Sequence, residues 1–531
     1  MLALNDRLKI FDNPQTAKHL CRIVRGIEKE SLRVSPSGHI ANSEHPKTLG
    51  SALTHPSITT DYSEALLEFI TAPSCSIEQV LAELDEIHRF TYRQIGDELL
   101  WASSMPCQLG PDHQIPIAKY GTSNIGIMKR VYRLGLGHRY GRAMQTIAGI
   151  HYNFSVPDEL WLALQQQQQN TQSLQDFKSA GYFHLIRNFR RYAWLLLYLL
   201  GSAPAVCRSF VANRDHKLSP VGKDSHSLHQ PFATSLRMGD LGYQSQAQSN
   251  VDVSYNSLDE YISSLRGALA QPYEAYDEIG IKDEQGNYKQ LNTHLLQIEN
   301  EFYSAIRPKR TATSGETPLQ ALQKSGVEYI EVRCLDVNPL LAWGIDAQTI
   351  RFLDTFLLFC LLSESPPNTG CESAEIAENM LQTVYQGRDS QLKLHRNKSA
   401  LRLRDWGADL LSKMRPVAKQ LDIAHGDQNY ADALEHMQSA IVDSSITPSA
   451  TMLNEMQEHN ETYYRMAMRK AKEHRELFLG GNLDKTISNH YSQLATMSHE
   501  QQVHQENNDK LSFDAFLANY WKSSKTEQQS N

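Results

Sequence analysis

The chain is short of cysteine. It has seven in 531 residues (Cys21, Cys75, Cys107, Cys207, Cys334, Cys360 and Cys371). They lie far apart and form no CxxC pair, which argues against a disulfide framework or a thiolate zinc site and predicts reduced thiols. Long apolar runs are also missing. The strongest, Ala193 to Leu200, meets Gly201 and Pro204 and falls short of the ~18 residues needed to span a bilayer, so it reads as a buried helix. The first residues, MLALNDRLKIFDN, show no basic region followed by an apolar stretch and a cleavage site, and the expectation is a cytoplasmic protein without a signal peptide. A basic surplus is absent too. Against 52 Lys and Arg stand 60 Asp and Glu, a net charge of −8, which disfavours nucleic acid or an anionic membrane as the main partner. The common nucleotide and hydrolase motifs fail. There is no GxxxxGK[ST] loop, no GxSxG elbow and no HExxH pair. The stretch from Gly135 to Gly141 is one residue too long for GxGxxG, and the one from His499 to His504 is one too long for HExxH.

What remains is an ordinary soluble composition, 40% hydrophobic and 21% charged. Up to about Asp336, short β-like runs (Gly26–Val34, Leu66–Thr71, Gly149–Ser155 and Val327–Cys334) alternate with helical stretches. Beyond about Ile345 the pattern is mainly helical, with Arg351–Leu362 strongly apolar and Tyr463–Leu477 running into Gly480-Gly481, a helix stop. The expected fold class is α+β. Its organisation is one large unit over 1–531, with an α+β core over 1–340, a helical part over 341–522 packed on it and a frayed tail over 523–531. Loops are expected at the glutamine run Gln165–Gln169, across Asn213–Gln230 and at Pro366–Gly370.

Three segments carry unusual acids. In Arg25-Gly-Ile-Glu-Lys-Glu-Ser-Leu-Arg-Val34, strand alternation points Glu28 and Glu30 the same way. Two carboxylates side by side repel unless a cation or water separates them. In Thr59–Thr71, Glu68 sits inside an apolar run and Asp61 in the turn before it. A buried, unpaired Glu there would be costly. In Gly326–Arg333, Glu331 and Arg333 share one strand face. Each segment alone also fits a solvated face or an edge ion pair. Together, hard carboxylates without clustered Cys or His suit Mg2+ or Mn2+, ions that commonly serve nucleotide phosphates. Anion-suited residues lie between these segments. Lys129, Arg130, Arg133, Arg139 and Arg142 follow the polar turn Tyr120–Asn124. Gln145, His151 and Asn153 come next, the last two on one face of a strand; alone, His151 reads as a satisfied core histidine. Arg237 and the stretch Ile306-Arg-Pro-Lys-Arg310 come later. Guanidinium groups suit carboxylate or phosphate, though structural ion pairs are their commoner use. A metal-dependent phosphohydrolase and a non-catalytic binding protein both remain open at this level.

The strings RGIEKESLRV and LGSALTHPSITTDYSEALLEFIT resemble glutamate–cysteine ligases of the single-chain bacterial type. SSMPC, YGTSNIG, RYGRAMQTIAGIHYNFS, ATSLRMGDLGY, LQIENEFYSAIRPKR and GVEYIEVRCLD continue the likeness in order, densely from about Arg25 to Leu340 and thinly beyond. The resemblance implies a glutamine-synthetase-like fold with a mostly antiparallel, funnel-shaped sheet. It implies ATP- and Mg2+-dependent joining of the L-glutamate γ-carboxylate to the L-cysteine amine, the first step of glutathione synthesis, in a monomer subject to feedback by glutathione. Carried over by residue, it implies metal binding by Glu28, Glu30, Asp61, Glu68 and Glu331. Glutamate contacts fall on Gln145, His151 and Asn153, and substrate polar groups on Arg237 and Asn300. A cysteine pocket is implied at Tyr62, Tyr243 and Tyr303, with catalytic arginines at Arg133 and Arg333. Position 62 is commonly another aromatic in the family, which makes its hydroxyl incidental.

Overall fold

The computed structural model describes residues 3–526 except 213, 223, 243–245, 250, 314 and 315. Twelve strands are named along the chain: β1 Val24–Val34, β2 Ile58–Thr60, β3 Leu66–Ile70, β4 Leu99–Leu100, β5 Gly149–Ser155, β6 Ala205–Cys207, β7 Ser219–Val221, β8 Asp224–His229, β9 Ile306–Lys309, β10 Tyr329–Asp336, β11 Lys393–Arg396 and β12 Ser399–Arg402. The main sheet runs β2-β3-β1-β5-β10-β9, with β4 on the end of β1, and all its ladders are antiparallel. The four expected strands appear as β1, β3, β5 and β10 with ends shifted by at most two residues.

Alternation sorts this sheet into two faces. Ile150, Tyr152 and Phe154 of β5 and Ile330 and Val332 of β10 are fully buried on one side. Against that side pack the apolar helices Leu174–Leu200 and Ala347–Leu362, the latter also touching Leu403–His425 and Asn429–Val442. A buried polar clamp fastens the layers. Arg25 Nε donates to Asp354 Oδ2 at 2.7 Å, and the Tyr152 hydroxyl donates to Asp354 Oδ1 at 2.7 Å. Burial opposes the Arg25 charge, but Asp354, Tyr152 and Tyr430 together outweigh it and raise its pKa. The opposite face of the sheet carries the polar row described below.

The helical C-terminal part is tied to the sheet-bearing part. Ser498 Oγ, in the helix Lys485–Asn508, accepts from Ser51 N at 2.9 Å. Glu506 accepts from Thr122 N at 2.8 Å, and Asp509 accepts from Asn124 N at the start of the helix Asn124–Tyr140. Among the described residues no helix is long and apolar enough to cross a membrane.

Several expectations need correction. The glutamine run is not all loop, because the helix Asp158–Gln167 takes in its first three residues and the Gln167 side-chain amide caps the Asp6 carbonyl at 2.8 Å. The stretch expected as a loop from Asn213 to Gln230 contains β7 and β8, which join β6 in a small antiparallel sheet. Short polar strands at such an edge show no hydrophobic alternation to betray them. Cys107 and Cys207 form a disulfide, their Cα atoms 5.4 Å apart, so the expectation of reduced thiols fails for this pair. One hundred residues separate them in sequence, which hid the pairing. The end expected to fray from Ser523 is helical as far as Thr526, and its last five residues lie outside the described ones.

Candidate active site

Strand register sets the polar row. Glu68 on β3 faces Glu30 on β1, Glu28 faces His151 on β5, and Glu331 on β10 faces Asn153 and Arg307. The Asn153 amide donates to Glu28 Oε1 at 2.8 Å, and His151 Nδ1 lies 3.0 Å from Glu28 Oε2. An ionised carboxylate can only accept, so it is the Nδ1–H of His151 that donates to Glu28. Nε2 lies 3.7 Å from Glu30 Oε1, and Nδ1 3.7 Å from Glu331 Oε1. His151 thus stands among the acids, a position the sequence reading did not give it. Asp61 belongs to the turn that feeds β3: its N–H donates to Leu66 O at 3.0 Å, and its carbonyl accepts from the Tyr120 hydroxyl at 2.9 Å and from Arg133 Nε.

Electrostatics divides the acids. Burial pushes the Glu68 carboxyl well above its ordinary range, and Glu28, Asp61 and Glu30 push it further. Burial also raises Glu30, with Asp61 adding to it against the pull of His151. Burial works the same way on Glu28 and Glu331, but there it loses. The hydrogen bond with His151 holds Glu28 low, and Lys309, Arg333 and His151 hold Glu331 well below the usual range. Lys309 Nζ is 3.4 Å and Arg333 Nη1 3.1 Å from Glu331 Oε1. Two raised carboxyls beside two depressed ones mark negative charge that lacks a counterion at one end of the row. Two acceptors in this row, Glu331 Oε2 and Asn153 Oδ1, are buried without a hydrogen-bond partner among the described residues. Ligand atoms of Glu28, His151 and Glu331 lie within 4.8 Å of one another. Hard oxygens with one imidazole fit Mg2+ or Mn2+.

Cations border the row on two sides. Arg133 and Lys129 rise from the helix Asn124–Tyr140, stacked over the Tyr120 ring at 4.5 and 5.1 Å. Burial lowers the Lys129 ammonium to about 8, with Arg133 adding to the effect. On the other side, Arg237 is 1% exposed; its Nη2 donates to Arg333 O at 2.9 Å, and Nη1 is 3.8 Å from Asp336 Oδ1. Gly149 makes room for it. A Cβ there would sit 1.9 Å from Arg237 Nη2, while Gly149 N donates to Glu30 Oε2 at 2.5 Å. Arg333 sits where β10 slips register between Val332 and Leu335, an irregularity that re-aims side chains.

The remaining candidates divide. Gln145 Nε2 donates to the Tyr303 hydroxyl at 3.1 Å. Tyr62 is buried, and its hydroxyl has no hydrogen-bond partner among the described residues. Tyr243 lies outside the described residues. Asn300 is exposed and offers its carbonyl to Arg307 at 3.0 Å. Its neighbour Glu301 is the inward residue, 2.9 Å from Arg139 and 2.7 Å from the Tyr140 hydroxyl. A cavity of about 520 Å³ opens beside the row, lined in part by Arg237, Arg333, Tyr303, Arg190, Tyr255 and Met380. Lys309 escaped the candidate set although its alternation with Arg307 was visible in Ile306-Arg-Pro-Lys. Arg190 gave no such signal, as one of three arginines in a helix.

Comparison with known proteins bears on this geometry. A family model described as glutamate-cysteine ligase matches residues 8–383. A glutamate–cysteine ligase of Alcanivorax borkumensis is 50% identical, covering 98% of this chain and 100% of the relative. One from Pseudomonas fluorescens is 47% identical, covering 97% of each. The crystal structure of glutamate–cysteine ligase from Francisella tularensis in complex with AMP superposes with a TM-score of 0.89 at 38% identity, covering 95% of this chain and 98% of that one. A bifunctional glutathione synthetase from Pasteurella multocida shares the fold, with a TM-score of 0.68 at 24% identity, covering 88% of this chain and 54% of that one.

Proposed function

The chain belongs to the glutamate–cysteine ligase family, and on that premise we propose that the polar row is where ATP activates the L-glutamate γ-carboxylate for attack by the L-cysteine amine, yielding γ-glutamylcysteine, ADP and phosphate. The observation that carries this reading is the row itself: acids with unmet negative charge, bordered by arginines and opening on a cavity. The adenine nucleotide held by the Francisella tularensis relative supports a nucleotide here.

Carboxylates do not acylate amines in water without activation. A γ-carboxylate oxygen of glutamate attacks the γ-phosphorus of ATP, and the bond to ADP breaks. The cysteine amine then adds to the acyl carbon and loses a proton, and phosphate departs. Glu28, Glu30, Asp61, Glu68 and Glu331, with His151 beside them, are the residues that would hold Mg2+ or Mn2+. When bound, such ions neutralise phosphate charge and align the transferred group. Arg133 and Arg333 face charge as it shifts from carboxylate to phosphate. Gln145, Asn153 and Arg237 orient glutamate, and Tyr62, Tyr243 and Tyr303 wall the acceptor side. A pocket that reads shape distinguishes side chains differing by one small group by only about 1–3 kcal/mol, so 2-aminobutyrate serves as a poorer acceptor. The reading extends to a glutamine-synthetase-like, funnel-shaped sheet and a cytoplasmic monomer restrained by glutathione.

The test is ADP release with each substrate omitted in turn. Ligase chemistry predicts release that requires glutamate and depends on the amine supplied. ATP hydrolysis with neither amino acid present would favour a phosphohydrolase, and binding without turnover a binding protein.

A further inference from the structure

The helix Leu174–Leu200 presents three arginines in five positions, and two are fully engaged. Arg187 donates to the carbonyls of Tyr255 at 3.2 Å, Asn256 at 2.8 Å and Ser365 at 3.1 Å. Arg191 pairs with Glu372 at 2.5 Å. Arg190 has no hydrogen bond or ion pair among the described residues, only the Tyr255 ring, whose centroid is 4.2 Å from its guanidinium carbon. Tyr255 is itself fixed, its hydroxyl 2.8 Å from Ser304 Oγ. The adjoining Ala305 carbonyl accepts from Arg333 N at 2.9 Å. A short run of contacts therefore joins Arg190 to Arg333, and both line the 520 Å³ cavity with Arg237.

The three cations differ in what they already hold. Arg333 has Glu331 at 3.1 Å, and Arg237 has Asp336 at 3.8 Å. Arg190 has no carboxylate in contact. Burial weighs against its charge, and Tyr255, Asp252, Arg191 and Glu372 act on it only through space. Asp252 is exposed. The walls around Arg190 include Ala193, Val253, Ile376 and Met380, which suit a short apolar or thiol side chain. The donor must place its γ-carboxylate at the acids, where Arg333 already touches Glu331 and Arg237 presses on Gly149, whose N–H is bound to Glu30. Arg190, on the helical wall, is left for the second substrate.

We infer that Arg190 anchors the α-carboxylate of the acceptor amino acid, making it a specificity-determining residue for the amine. The inference rests on the ligase reading. A guanidinium–carboxylate contact is charge-assisted and geometrically selective, and Lys reproduces it only in part.

The test compares cysteine with cysteamine, which has the same amine and thiol but no carboxylate, in the wild type and in Arg190→Ala and Arg190→Lys. The expected result is a fall of about tenfold or more in kcat/KM for cysteine with Arg190→Ala, carried by KM, with KM for glutamate and ATP unchanged. Cysteamine turnover should change by less than about twofold, so that the preference for cysteine collapses, with Arg190→Lys intermediate. The ratio is internal to each preparation, so partial unfolding cannot imitate it. Equal losses with both amines, a rise in KM for glutamate, or an unchanged cysteine KM would each overturn the anchor. Absence of glutamate-dependent ADP release from the wild type would overturn the ligase reading instead.

Discussion

Glu68 is the clearest single-residue case of a site at odds with its own stability. Burial and three neighbouring carboxylates raise its pKa. A raised carboxyl favours the folded state while protonated. That contribution is complete below the unfolded value, roughly 4.3, and is lost as pH rises through the folded value. We therefore predict that Glu68→Gln raises the Tm of the metal-free protein at pH 8, flattens its decline between mildly acid and alkaline pH, and abolishes ligation. Thermal melts across pH with and without Mg2+ check this; a lower Tm for the variant under metal-free conditions would contradict it. At this scale much of the site was legible, because alternation places His151 and Asn153, or Glu331 and Arg333, on one face before any fold is known. The position of His151 among the acids was not, since it depends on which strands become neighbours. Nor was the choice between Asn300 and Glu301, because a three-residue turn has no period to read.

Among the elements, β5 shows how one glycine serves two neighbours. Gly149 gives its N–H to Glu30 and its missing side chain to Arg237. Gly149→Ala must displace the Arg237 guanidinium, and a misplacement of about 1 Å in a positioning group can cost on the order of 100-fold in rate. The prediction is a loss of that size in kcat/KM with a small change in Tm, because the obstacle is the end of one side chain. Unchanged kinetics would mean that Arg237 does not need its observed place. The long strands and apolar helices were readable from periodicity. The small β6-β8-β7 sheet and the Cys107–Cys207 link were not, because polar edge strands lack a pattern and the link closes a loop of one hundred residues.

Across the whole molecule, the reactive face of the sheet is only as rigid as the helical layer behind it. Arg25, Tyr152 and Asp354 join β1, β5 and the helix Ala347–Leu362 in a fully buried cluster. Asp354→Ala leaves the Arg25 charge unpaired in the interior, and we predict a loss of about 3–5 kcal/mol in denaturant unfolding. A change under about 1 kcal/mol would show that water or another group compensates. This coupling explains why the charge balance was informative in sign but not in place. The surplus of eight acids disfavoured nucleic acid, whereas only the sheet register shows that Glu28, Glu30, Glu68 and Glu331 gather along one face, with Asp61 in the turn that feeds β3. The central claim is that this face activates a carboxylate by phosphorylation. The most direct measurement supplies glutamate labelled with 18O in both γ-carboxylate oxygens, together with cysteine and ATP, and analyses the phosphate by mass spectrometry. The account predicts one labelled oxygen in each phosphate released; phosphate free of label would contradict it.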